Sequence, residues 1–294
     1  MQSNNPIFRR SEEFQRGGAN MYGNQTYPGN GAPVAGYGQT TDPSQWSVGS
    51  PASTGYAPGA ATGPMTIDSV VQKTAITLGL VIVSAAATWL LTGDITASTV
   101  PSSLVTALTL GSLVAFALSL VNSFKRVISP ALVMAFAVAE GVALGAFSKF
   151  IDAVYNEPGT GHNLVVQAVI GTFAAFAGTL AAYKFFNIQV GQKFRTFVVA
   201  AVFGMIGLSV LELVLGLFGD SFGLFGFGGL GILTAVAGLV LGVFMLILDF
   251  DFVEQGVANR IPEQESWRAA FAMTVSLVWI YTNLLRLLAI FSDN

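Results

Sequence analysis

Three carboxylates close one long apolar run: Asp249, Asp251 and Glu254 in LILDFDFVEQG, residues 246–256. Further ionisable groups stand inside other apolar runs, namely Glu140, Glu212 and Arg286, and Asn283 adds an amide. Carboxylate and amide oxygens suit hard cations, and ionisable groups at bilayer depth are costly unless they face a bundle interior or water. The residue types therefore point to ion or proton passage, or to internal pairing. Other chemistries lack their parts. The chain has no cysteine and a single histidine, His162, in a polar stretch, so thiolate and histidine-rich metal sites are excluded. GFGGLG (Gly226, Gly228, Gly231) matches a dinucleotide fingerprint only in letters, because no strand precedes it. Ser209 in GLSV has no histidine base in any apolar run, so it reads as a helix-packing serine and the chain does not read as an enzyme.

These residues must be positioned by membrane-spanning helices. The chain is 53% hydrophobic and 10% charged, with a mean hydropathy of +0.64; soluble domains carry about a quarter charged residues. The net charge of −3 gives no electrostatic support for nucleic-acid binding. Residues 1–66 are rich in Gly, Asn, Gln, Tyr and Pro and predict a disordered tail, with no apolar core of a signal peptide. Residues 67–294 form the second region, with seven apolar runs at about 70–92, 100–121, 130–149, 163–184, 195–218, 229–252 and 267–291, each near the ~20 residues of a spanning helix. Ser129-Pro130 reads as a helix start, as does Pro262 followed by Glu263 and Glu265. Gly141/Gly145 and Gly238/Gly242 have the four-residue spacing that allows close helix approach.

Basic residues set the expected orientation. With residues 1–66 in the cytoplasm, eleven of the thirteen Lys and Arg fall inside, Lys149 alone lies outside, and Arg286 lies within the last run. The alternation holds only for an odd number of spans, so the C-terminus is expected outside. Rise along a helix then places Glu140 near the midplane, and Glu212 and Arg286 at similar depth toward the outer leaflet. An ion pair between those two is geometrically allowed, as are two separate groups reaching for the interface. Asp249 comes close to the inner surface, with Asp251 and Glu254 closer still; Glu254 reads as a solvated helix end.

Three stretches resemble the Bax inhibitor-1 family of transmembrane proteins, in particular actinobacterial members: SPALVMAFAVAEGVALGAFS (129–148), LDFDFVEQGV (248–257) and SWRAAFAMTVSLVWIYTNLLRLL (266–288). The resemblance covers about 66–291 and implies an all-α bundle of seven transmembrane helices with one helix surrounded by the other six. It further implies a pH-sensitive calcium leak, gated by a sixth-span aspartate that shares a proton with a seventh-span acid. Asp249 best matches that aspartate, with Asp251 second. The seventh run contains no Asp or Glu, and Asn283 stands where the acid is expected. An amide does not titrate but can hydrogen-bond a carboxyl group in either state. Either pH gating is weaker here, or Asp249 couples to Asp251 or Glu140.

The expectation is thus a multi-pass bacterial plasma-membrane protein that passes calcium or another cation slowly. Asp249, Asp251, Glu140 and Asn283 would line or gate the path, with no resident metal or cofactor. Two other readings stand beside it: a regulatory protein acting through partners such as a membrane protease, in which the carboxylates are structural, and a proton-coupled transporter using Glu140 and Asp249 as a relay.

Overall fold

The computed structural model describes residues 63–95, 99–155, 163–186, 188–219 and 221–292. The expected disordered tail lies outside the described residues except for its last four positions. Seven helices, each long and apolar enough to cross a membrane, follow in order: α1 Ile67–Leu91, α2 Ser102–Phe124, α3 Pro130–Tyr155, α4 Leu164–Phe185, α5 Gln192–Leu217, α6 Gly229–Ala258 and α7 Ser266–Ser292. Local sequence sets their starts. Thr66 and Ser69 form a reciprocal capping box for α1, with Ser69 N–H donating to Thr66 Oγ1 at 3.1 Å and Thr66 N–H to Ser69 Oγ at 3.2 Å. Pro130 is the first residue of α3, as its fixed φ and missing N–H allow. Pro262 precedes a single 3-10 turn, Glu263–Glu265, that leads into α7.

Two boundaries differ from those expected. The α6 helix continues to Ala258, so Asp249, Asp251 and Glu254 all lie within it rather than at its end. The apolar run stops earlier because the last turns carry polar residues on side-chain contacts, while the backbone ladder continues. Residues 63–66, assigned to the tail by composition, are docked. Pro64 bridges Pro262, Met65 N–H donates to Ile261 O at 2.8 Å, and Met65 is buried.

Contacts among helix ends and the adjoining connections show that the helices alternate in direction. At the near end, where α1 starts, Lys73 pairs with Glu263 at 2.9 Å, Arg268 donates to Arg126 O at 2.8 Å, and Arg195 pairs with Asp251 at 2.8 Å. At the far end, Lys149 donates to Trp89 O and Thr92 O, Tyr155 stacks on Phe227, and Ser292 bonds Tyr155 O.

The central helix is α7. It packs against α1, α3, α4 and α6, and buries Thr274, Ser276, Asn283 and Arg286 together with its apolar residues. The α2 helix reaches it through the cluster that joins Ala115 to Phe271, and α5 closes the outside against α6 with Val198 its only buried residue. Large apolar side chains cover the outer faces, Phe203 and Leu213 on α5 and Leu113 on α2 among them. This apolar-out, polar-in arrangement is that of a protein solvated by lipid. Glycines set the closest approaches. A Cβ on Gly141 would strike Ser84 and Val81 of α1, and one on Gly145 the backbone of Ala85.

Candidate functional site

The three carboxylates of α6 point in three directions. Successive helical residues are turned by about 100°, so spacings of two and five residues distribute side chains around the axis. Asp249 Oδ2 accepts from Ser276 Oγ of α7 at 2.6 Å. Asp251 Oδ2 accepts from Arg195 of α5 and from Gln255 Nε2, both at 2.8 Å. Glu254 Oε2 accepts from Tyr183 Oη of α4 at 2.5 Å. The trio therefore ties α6 to α7, α5 and α4 rather than forming one cluster. Among the described residues, no group of three or more His, Cys, Asp or Glu could hold a metal ion.

The roles of the three separate accordingly. Asp251 is a buried carboxylate neutralised by a half-exposed arginine. Glu254 is exposed and held by a phenol rather than by solvent alone. Among the described residues, Asp249 pairs with neither a cation nor a tyrosine. Its partner is one hydroxyl, Ser276, itself almost wholly buried in the central helix. Two residues earlier, and so on another side of α7, Thr274 Oγ1 meets Thr77 Oγ1 of α1 at 2.9 Å.

Glu140 and Asn283 come together elsewhere. Both line a cavity of about 450 Å³ with Ser112 of α2, Ser209 of α5, and Thr282 and Arg286 of α7. Glu140 has no hydrogen bond or ion pair among the described residues, so its carboxylate addresses the cavity itself. Asn283 Nδ2 donates to Trp279 O at 2.8 Å, and its amide lies where a Cβ on Gly238 would be. Trp279 Nε1 donates to Gly238 O at 2.9 Å, which fixes that crossing. Asn283 is thus not the residue that faces Asp249. It lies seven residues, or about 10 Å, farther along α7 than Ser276. Asp249 and Asp251 are not on the cavity wall and face different helices, so the four residues expected along one path fall at three places.

The ion pair allowed between Glu212 and Arg286 is not formed. Glu212 accepts from Ser221 Oγ and from the N–H groups of Phe222, Gly223 and Leu224. Arg286 Nη2 donates to Gly231 O at 2.8 Å, Thr234 Oγ1 at 2.7 Å and Leu224 O at 3.4 Å. Similar depth brought both to the same loop, and unsatisfied backbone at that loop took each of them.

A second cavity, of about 530 Å³, lies between α1 and α4 and is almost wholly apolar, lined by Val81, Ala85, Trp89, Val169 and Phe173. Ser148 and Tyr281 share a 2.6 Å hydrogen bond on its wall. Sequence reasoning missed Ser276, Arg195, Tyr183 and Tyr281. Only Ser276 carried a usable signal, since it lies at i, i+7 from Asn283 and hence on the same face of α7.

Seven spanning helices among the described residues, one of them central and carrying buried polar side chains, with carboxylates turned inward, define a multi-pass integral membrane protein with a polar interior. The chain belongs to the Bax inhibitor 1 like family, whose family model matches residues 5–293. Among curated proteins, none matches it.

Proposed function

We propose that the protein conducts a slow leak of calcium or another hard cation across the membrane, with Asp249 as the gating carboxylate near the cytoplasmic end of α6. In this reading the near end faces the cytoplasm, as the basic residues of the connecting loops favour. The observation that carries it is the Asp249–Ser276 contact: a carboxylate inside the bundle, against the central helix, with a hydroxyl and no cation to neutralise it. Interior charges without structural partners are costly and are kept for ion or proton pathways. Farther along α7, the Glu140–Asn283 cavity supplies the next oxygen ligands. A charged Asp249 attracts a cation to its level; a protonated one presents only hydroxyl-type groups, so the leak depends on pH.

The test is calcium flux into dye-loaded proteoliposomes, comparing the wild type with Asp249→Asn across a pH series. A wild-type leak that varies with pH, and a variant leak that does not, is the expected result. Absence of flux at every pH would overturn the reading in favour of a regulatory membrane protein that acts through partners such as a membrane protease.

A further inference from the structure

We infer that residues 221–227, in the loop between α5 and α6, form a plug that closes the Glu140 cavity at the far end, held by Glu212 and Arg286 from opposite sides. The loop is held more firmly than a plain connection between two helices needs. One carboxylate, Glu212, gathers three consecutive backbone N–H groups and the Ser221 hydroxyl, with Gly223 N–H and Ser221 Oγ each at 2.8 Å from Oε1. Gly223 has φ +70, a conformation that glycine adopts without steric cost and that turns these amides toward one point. On the other side of the same peptide segment, the carbonyl of Leu224 accepts from Thr234 Oγ1 and from Arg286. Leu224 is therefore fastened through its N–H to an anion of α5 and through its C=O to a cation of α7.

The fastened loop reaches the cavity. Phe225 lies on the same wall as Glu140, Ser209 and Arg286, and its ring sits 5.4 Å from the Arg286 guanidinium carbon. Two residues on, Phe227 stacks on Tyr155 of α3 with ring centroids 4.3 Å apart. The loop thus spans from α5 across α7 to α3 over the end of the cavity. Two charged side chains at bilayer depth are committed to loop backbone rather than to each other, and charge-assisted hydrogen bonds of this kind are about twice as strong as neutral ones. Arg286 also places a positive charge beside the plug, where it opposes the passage of cations. As an outer gate this rests on the cation-leak reading; as a closure of the cavity it does not.

The absence of cysteine makes a direct test clean. Ser209 lines the cavity and bonds only Met205 O of its own helix, so Ser209→Cys places a thiol there with little disturbance. Labelling by a membrane-impermeant maleimide is then measured from each face of oriented proteoliposomes, with and without Glu212→Ala or Phe225→Ala. The expected result is slow labelling in the parent and about tenfold faster labelling from the far end in either variant, corresponding to loss of the contacts that hold the plug. Unchanged labelling in Phe225→Ala, or faster labelling only from the near end, would overturn the proposal even if Glu212→Ala failed to fold. Calcium flux in the same vesicles separates the two ideas: faster labelling without any flux leaves the plug standing and removes the leak.

Discussion

Asp249 of α6 and Ser276 of α7 face each other at 2.6 Å, the carboxylate accepting from the hydroxyl, in the interior of the bundle. This pairing, not one with Asn283, occupies the place where a second titrating group would couple to Asp249. Two carboxylates within hydrogen-bond reach titrate as one coupled pair, whereas a carboxylate and a hydroxyl do not. Ser276→Asp is therefore expected to sharpen the pH dependence of calcium flux, and Asn283→Asp to leave it close to that of the wild type. A sharpened response in Asn283→Asp and none in Ser276→Asp would show that the interior geometry of the working state differs from this one.

The ion pair between Arg195 and Asp251 makes a prediction about stability. Removing one partner of a buried pair costs about 3–5 kcal/mol when both are desolvated. Here Asp251 is buried but the Arg195 side chain is 45% exposed, so solvent screening lowers the expected cost of Arg195→Ala to about 1–3 kcal/mol. Arg195→Ala with Asp251→Asn should regain part of that loss, because the amide removes the stranded charge. Thermal unfolding in detergent at low and high salt measures this; equal melting temperatures for the single and double variants would count against an electrostatic role.

The fold was legible because it depends on quantities that a sequence carries directly. Apolar runs long enough for a bilayer, and Pro130 and Pro262 at helix starts, are local features, and they became α1 to α7 with boundaries shifted by a few residues. The glycine pairs were legible for the same reason, since a four-residue spacing puts both on one face. The site was less legible because partners are set by rotation about helix axes. Depth alone brought Glu212 and Arg286 to one level but could not show that loop amides and carbonyls would claim each of them. Nor could the apolar run reveal that α6 continues past Glu254, since its last turns are polar outside and packed inside: Val253 and Gly256 are buried while Glu254 and Gln255 are exposed.

Gly145 gives a test of the close helix crossing. Its α-carbon faces the backbone of Ala85, which cannot move as a side-chain tip can. Overpacking of this kind costs typically about 1–3 kcal/mol, so Gly145→Ala should lower the unfolding temperature clearly. Gly178, around which a Cβ meets nothing, should accept alanine without loss. Comparable melting of both variants would mean that α1 separates from α3 without cost.

Met65 tests whether the start of the helical region is anchored. It is 1% exposed and belongs to the cluster that contains Val70, Leu246, Phe250 and Val253, of which Leu246 and Val253 lie one turn before and one turn after Asp249. Its sulfur lies against Gly256, and its N–H bonds the loop before α7. Truncating a buried methionine costs about 2–5 kcal/mol, so Met65→Ala should destabilise the near end of α6. Its expected signature is faster amide exchange in residues 63–66 and in the 258–265 connection, with the far end unchanged. The neighbouring Ile67 is 62% exposed, and Ile67→Ala should stay within about 0.5 kcal/mol of the wild type. Exchange that rises equally at both ends in Met65→Ala would indicate global rather than local loosening, and would count against a local anchoring role of Met65.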